Sequence, residues 1–177
     1  MRRRLERGFS LIELMVVVVI ILVLAAVAIP SFMKYLKNAQ TTEARIQIEK
    51  ITMGARAYYL DNFASKGLGV IPRQFPESIA MTPAITCCAV KGGKCLPNAA
   101  AWNEPSWVAL AYSMDDPHSY RYEFISSGSA TDAVFTARAK GDLDCDGIES
   151  TFEMYGRIGD GGELEGSAGL ARTNQLE

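Results

Sequence analysis

"RGFSLIELMVVVVIILVLAAVAI", Arg7 to Ile29, places one carboxylate, Glu13, near the head of an otherwise apolar run. From Leu14 to Ile29 no charge interrupts the run, yet this stretch alone is marginal against the about 20 apolar residues that a bilayer-crossing helix needs. Extending it back to Phe9 gives roughly 31 Å of helix at 1.5 Å per residue, enough to cross. Glu13 is then carried into the apolar segment. Arg2, Arg3, Arg4 and Arg7 precede it, so the positive-inside rule predicts a cytoplasmic N-terminus and export of everything after Ile29.

An ordinary secretory signal has the same outline: a basic start, an apolar stretch and a small-residue site, here "AVA", Ala26 to Ala28. Two features weigh against it. A charged group at the centre of a membrane helix costs about 2.5 to 3.5 kcal/mol even on the lenient insertion scale. The helical pattern also continues beyond Ala28. Across Ser31 to Asp61, Ala44, Ile48, Ile51, Ala55 and Tyr58 recur at spacings of four, three, four and three, with Glu43, Arg45, Gln47, Glu49, Lys50 and Arg56 on other faces. A removed peptide needs no such continuation. The two parts together predict one helix of about 50 residues and roughly 75 Å, with Pro30 expected to kink or loosen it. Its apolar half has no partner within its own chain.

"RGFSLIEL" followed by an apolar helix resembles the class III signal of type IV pilins and the related pseudopilins. The resemblance is specific over residues 7 to about 36 and architectural beyond them. It implies a leader, residues 1–8, removed by a prepilin peptidase between Gly8 and Phe9, with methylation of the new N-terminus at Phe9. Residues 9–29 become an apolar transmembrane and assembly helix, residues 30–61 its amphipathic half, and Pro30 matches a proline at which the family's helix unwinds locally. The amine freed at Phe9 is a cation near neutral pH, and Glu13 follows about 6 Å further along the helix axis. A buried carboxylate is costly alone and tolerable when paired. The family's assembly model supplies the pair, each subunit's acid meeting its neighbour's amine, so that insertion into a filament offsets the burial and fixes axial register. The plainer alternative is a glutamate that snorkels to the membrane interface without a partner.

Residues 62–106 break into glycine, proline and short apolar pieces, "SKGLG", "IPRQFPESI" and "CCAVKGGKC", and read as a looped connection between helix and sheet. After Pro105 the chain alternates with period two. Trp107–Ser113, Tyr120–Ser126, Asp132–Lys140 and Ser150–Gly156 each read as a strand, with turn-like stretches between. Short loops imply an antiparallel four-stranded sheet over residues 107–156, whose apolar face receives the stripe from Ala44 to Tyr58. Tyr120, Tyr122, Phe124, Phe135 and Phe152 are candidates for that face. The expected fold class is thus α+β, a long N-terminal helix packed on a four-stranded antiparallel sheet, closed by a glycine- and acid-rich tail, residues 157–177, that is flexible or orders against a neighbour.

In an exported domain the four cysteines suggest two disulfides. Bonding Cys87 to its neighbour Cys88 would strain the backbone, so Cys95 is expected to pair with one of them and Cys145 with the other. A four-thiolate zinc site lacks the C-x-x-C spacing. In "DLDCDGIESTFE", Asp142, Asp144, Asp146, Gly147 and Glu153 match the spacing of a calcium-binding EF-hand loop. The flanking strands and Glu149 do not match it. The alternatives are a Ca²⁺ site of oxygen ligands, the only cofactor the sequence suggests, and a solvent-exposed Asp-Gly turn.

Formal net charge is -2. Removing residues 1–8 takes four arginines against one glutamate and leaves the remainder more acidic, which gives no support to nucleic-acid binding. His118 lies in the turn "DDPHS" and reads as a surface residue, and no phosphate loop, nucleophile elbow or histidine metal cluster appears. The chain is therefore expected not to be an enzyme. The resemblance implies a structural subunit of a type IV pilus, polymerising with copies of itself into a retractable filament for motility, adhesion or DNA uptake. Its partners would be the prepilin peptidase, an inner-membrane assembly platform and the membrane itself before assembly. It would be a single-pass inner-membrane protein first and part of a cell-surface filament afterwards. A pseudopilin of a type II secretion system, and a minor pilin that primes assembly or binds a surface, are the alternatives.

Overall fold

The computed structural model describes residues 8–61, 72–166 and 169–175. The chain divides into two compact units, Met1–Leu36 and Lys37–Glu177.

One helix, α1 (Leu11–Asp61), runs through both units and includes Pro30. Its first half is rich in valine and isoleucine, which are mediocre helix formers in water. In lipid the ranking matters less, because a helix satisfies every backbone N–H and C=O within the segment. The large apolar side chains from Phe9 to Leu36 are all exposed. In the second unit α1 buries Thr41, Ala44, Ile48, Ile51, Ala55 and Tyr59. The expected stripe holds up to Ala55 and then moves to Tyr59, leaving Tyr58 half-buried. At 3.6 residues per turn both positions lie about 50° from the centre of the stripe, so spacing alone does not choose between them. The core chooses: the Tyr59 ring meets Phe75 at 5.1 Å, and its hydroxyl donates to the Ala130 carbonyl at 3.2 Å.

The sheet is antiparallel throughout, with strands β1 (Ile79–Thr82), β2 (Arg121–Ser127), β3 (Val134–Gly141), β4 (Ser150–Ile158), β5 (Leu164–Gly166) and β6 (Ala171–Thr173). Strands β1 to β5 neighbour one another in sequence order, and β6 also pairs with β4. Strand β5 stands opposite Gly156–Ile158 and β6 opposite Thr151–Glu153, so the two share one edge of β4. The central three strands follow the expected alternation. Tyr120, Tyr122, Phe124, Phe135 and Phe152 are all fully or almost fully buried, against the small Ala137 and Ala139 of β3. On the opposite face Glu123, Arg138 and Glu153 stand in one cross-strand row, with the Arg138 guanidinium bonded to both carboxylates.

Three expectations need correction. Trp107–Ser113 is not a strand: Pro105–Ala109 forms the short helix α2, with proline at its start. Proline has no N–H to lose there, and Trp107 and Leu110, three apart, both point into the core. Strand β1 lies within the stretch read as a loop, and β5 and β6 lie within the stretch read as a tail. Among the described residues the sheet therefore has six strands, not four.

Gly54 sets how closely α1 and the α2 turn approach. A Cβ there would lie 2.0 Å from the Leu110 carbonyl oxygen. Alanine normally gains up to about 1 kcal/mol over glycine in a helix. Here Gly54→Ala is expected to lose about 2 kcal/mol, because the turn carrying Trp107 and Leu110 must move out. Denaturant unfolding of the variant checks the sign, and an unchanged or raised midpoint would refute the close approach.

Burial pushes three phenols upward: Tyr120 to about 12, with Tyr112 and Tyr122 also raised well above the ordinary phenol range and Glu43 adding to both. Groups whose folded pKa is raised contribute stability that is complete below the unfolded value, near 10, and lost as pH climbs past it. Each such tyrosine is expected to steepen alkaline destabilisation by about 1.4 kcal/mol per pH unit above pH 10. Stability measured at several pH values should show a shallower fall for Tyr122→Phe, and parallel curves would contradict this account.

Candidate functional site

Gly8, Phe9 and Ser10 precede the helix and are exposed, so the bond between Gly8 and Phe9 lies outside regular structure. Behind it Ser10 and Glu13 close on each other. The Ser10 N–H donates to Glu13 Oε2 at 3.1 Å, and the Glu13 N–H donates to Ser10 Oγ at 3.2 Å. This is a capping box, which satisfies two N–H groups at the open end of a helix and sets a carboxylate at the positive end of its dipole. The S-x-x-E spacing was legible in the sequence, but the assembly reading of Glu13 passed over it. Among the described residues only Oε2 of that carboxylate accepts a hydrogen bond, so Oε1 remains able to meet a further donor. Beyond it α1 presents exposed apolar side chains as far as Leu36, and Ser31 Oγ donates back to the Val27 carbonyl beside Pro30 at 3.3 Å.

In the second unit Glu43, assigned from spacing to an outer face, is half-buried. Its carboxylate accepts the Ser119 N–H at 3.0 Å and the Tyr122 hydroxyl at 3.3 Å, joining α1 to the start of β2. His118 is buried rather than on the surface, at 1% exposure. Its Nδ1 is 3.0 Å from the Asp116 carbonyl oxygen, and its ring packs 6.0 Å from Trp102. That environment is that of a side chain packed in the core.

The cysteines pair as Cys87–Cys95 and Cys88–Cys145, at sequence separations of 8 and 57. Cys95 and His118 also exchange backbone hydrogen bonds of 2.8 and 3.1 Å. Of the four residues read as a calcium set, the structure gathers three. The carboxylates of Asp142, Asp144 and Asp146 have oxygens within 4.8 Å of one another, whereas Glu153 faces outward from β4 and bonds Arg138. Spacing in the motif brought Glu153 into the set, and strand register takes it out. Each aspartate already has work in the loop. Asp142 accepts the N–H groups of Asp146 and Gly147 at 3.3 and 2.9 Å, and Asp146 accepts that of Ile148 at 2.8 Å. The Lys37 ammonium, 2.6 Å from Asp144, holds that carboxyl below its usual range through their hydrogen bond.

Residues 3–29 match the family model described as the prokaryotic N-terminal methylation motif. The chain is 28% identical to the type IV major pilin protein PilA of Myxococcus xanthus over 135 residues, 70% of this chain and 61% of that protein. It is 38% identical to the type IV major pilin protein PilE1 of Neisseria gonorrhoeae over 76 residues, 43% of this chain and 33% of that one. It is 44% identical to the type II secretion system core protein G of Pseudomonas aeruginosa over 64 residues, 36% of this chain and 45% of that one. The matched part of this chain thus spans less than two thirds of each of these relatives. No solved structure matches. A methylation motif, a capped apolar helix with its acid at the head, and an antiparallel sheet make this chain similar to these type IV pilins and to the type II secretion core protein.

Proposed function

We propose that this chain is a structural, non-catalytic subunit of a type IV pilus, cut after Gly8, methylated at Phe9 and polymerised through α1. The observation that carries the reading is the carboxylate of Glu13 at the head of a helix whose apolar side chains are exposed as far as Leu36. Such a surface is stable in lipid or against other apolar helices, and unstable in water. The chain waits in the inner membrane with its N-terminus inside, and copies then exchange lipid for one another in a surface filament. Prepilin peptidase and an inner-membrane assembly platform are the partners this sequence of events requires.

Mass spectrometry of the N-terminus together with electron microscopy of sheared surface fibres tests the proposal. The expected result is N-methylphenylalanine at Phe9 in long fibres built mainly of this chain. A mature protein beginning at Ile29, or an uncut Met1, would defeat it. A pseudopilin of a type II secretion system is the second reading, favoured by the 44% identity with core protein G. Short envelope-bound assemblies with no surface fibre, and lost protein secretion on deletion, would choose it.

A further inference from the structure

The two disulfides sit in different surroundings. Cys87 and Cys95 are each 3% exposed, whereas Cys88 is half-buried and Cys145 exposed. The turn at Gly92 and Gly93 passes beside the outer sulfur without placing a side chain there, and a Cβ added at Gly93 would lie 3.7 Å from Cys145 Sγ. Cys145 itself has φ 61°, a left-handed conformation that residues other than Gly, Asn and Asp seldom take. Among the described residues, the loop from Asp142 to Glu149 that carries it is also fastened by the Lys37–Asp144 and Arg121–Glu149 ion pairs. The Lys37–Asp144 pair is partly exposed on both sides, and such pairs hold weakly. The disulfide is the covalent attachment of this loop, and it lies nearer solvent than Cys87–Cys95 does.

We propose that Cys88–Cys145 is a reducible clasp, an exchange site for a dithiol reductant, which frees the Asp142–Glu149 loop from the Cys87–Ala89 turn while Cys87–Cys95 and the sheet stay closed. A thiolate of the reductant attacks Cys145 Sγ. The sulfur–sulfur bond breaks, and Cys88 leaves as a thiolate that takes a proton from solvent. The reductant's second thiol then gives up its proton and displaces Cys145 from the mixed disulfide. In sum the dithiol becomes a disulfide, and two electrons and two protons pass to Cys88 and Cys145. Access governs such exchange, and access is what distinguishes the two bridges. Asp142 has a carboxylate oxygen within 4.8 Å of both sulfurs, and it clusters in turn with Asp144 and Asp146, so the fitting reductant is neutral or basic around its reactive thiol.

Timed reduction of the full-length chain in detergent with dithiothreitol, followed by alkylation and peptide mass spectrometry, tests the clasp. Cys88 and Cys145 are expected to gain label together, about tenfold faster than Cys87 and Cys95. In that partly reduced species, amides from Asp142 to Ile148 should exchange faster with solvent while those from Phe135 to Ala139 keep their protection. At low salt cysteamine is expected to react several-fold faster than mercaptoacetate, with the gap closing at about 1 M salt. Prior opening of Cys87–Cys95, a single rate for all four cysteines, or unchanged exchange in the loop would overturn the clasp. Equal rates for the cationic and anionic thiols would overturn the class of reductant.

Discussion

Glu13→Gln is expected to leave α1 intact and to remove filaments. Glutamine at that position can still accept the Ser10 N–H and keep the capping box, so the start of the helix should survive. What disappears is the negative charge that the proposed assembly sets against a neighbour's N-terminal amine. Removing one partner of a buried ion pair costs about 3 kcal/mol or more, because the other charge is left unmatched. At 1.4 kcal/mol per factor of ten, each subunit contact weakens about a hundredfold. Yield of sheared fibres from cells with no parental copy is the measurement, with membrane-bound subunit as the control for expression. Fibre yield equal to the parent would mean that Glu13 serves the cap alone. Ser10→Ala is the complementary variant: it removes the hydroxyl from the cap and keeps the charge, and should lower yield far less.

The second large effect concerns the bridge of separation 57. Cross-linking removes freedom from the unfolded chain in proportion to the logarithm of the loop closed, which gives about 4 kcal/mol for this bridge and about 2.5 kcal/mol for the bridge of separation 8. Domains of this size have 5 to 15 kcal/mol in all. Replacing Cys88 and Cys145 by serine is therefore expected to lower the melting temperature by about 10 °C or more, and replacing Cys87 and Cys95 by clearly less. Denaturant unfolding of both double variants under non-reducing conditions compares them. Equal losses would show that local packing around the sulfurs, not loop closure, sets their worth.

Much of the fold was legible because its signals are long. The stripe from Ala44 to Ala55 repeats over several helical turns, and the alternation in β2, β3 and β4 runs through seven to nine residues each. Strands β1, β5 and β6 have four, three and three residues, too few for a period of two to declare itself. Trp107 to Ser113 misled for the opposite reason: its apolar residues suit either period, and Pro105 was the only cue to a helix start. At the N-terminus the motif was specific, but a charge in an apolar run drew attention from the hydroxyl three residues earlier that caps it. Glu43 and Glu153 were misplaced because what a carboxylate touches depends on which strand arrives beside it, and neither spacing nor composition contains that information.

The split outer edge of the sheet has a consequence for the proposed filament. Two three-residue strands, β5 and β6, occupy one border, and the four-residue β1 occupies the other. Neither border offers a long row of backbone groups on which a foreign strand could grow. In the proposed filament, copies packed side by side would associate through their apolar helices while their sheets resist fusing into a common one, which would keep an ordered fibre from turning into amyloid-like debris.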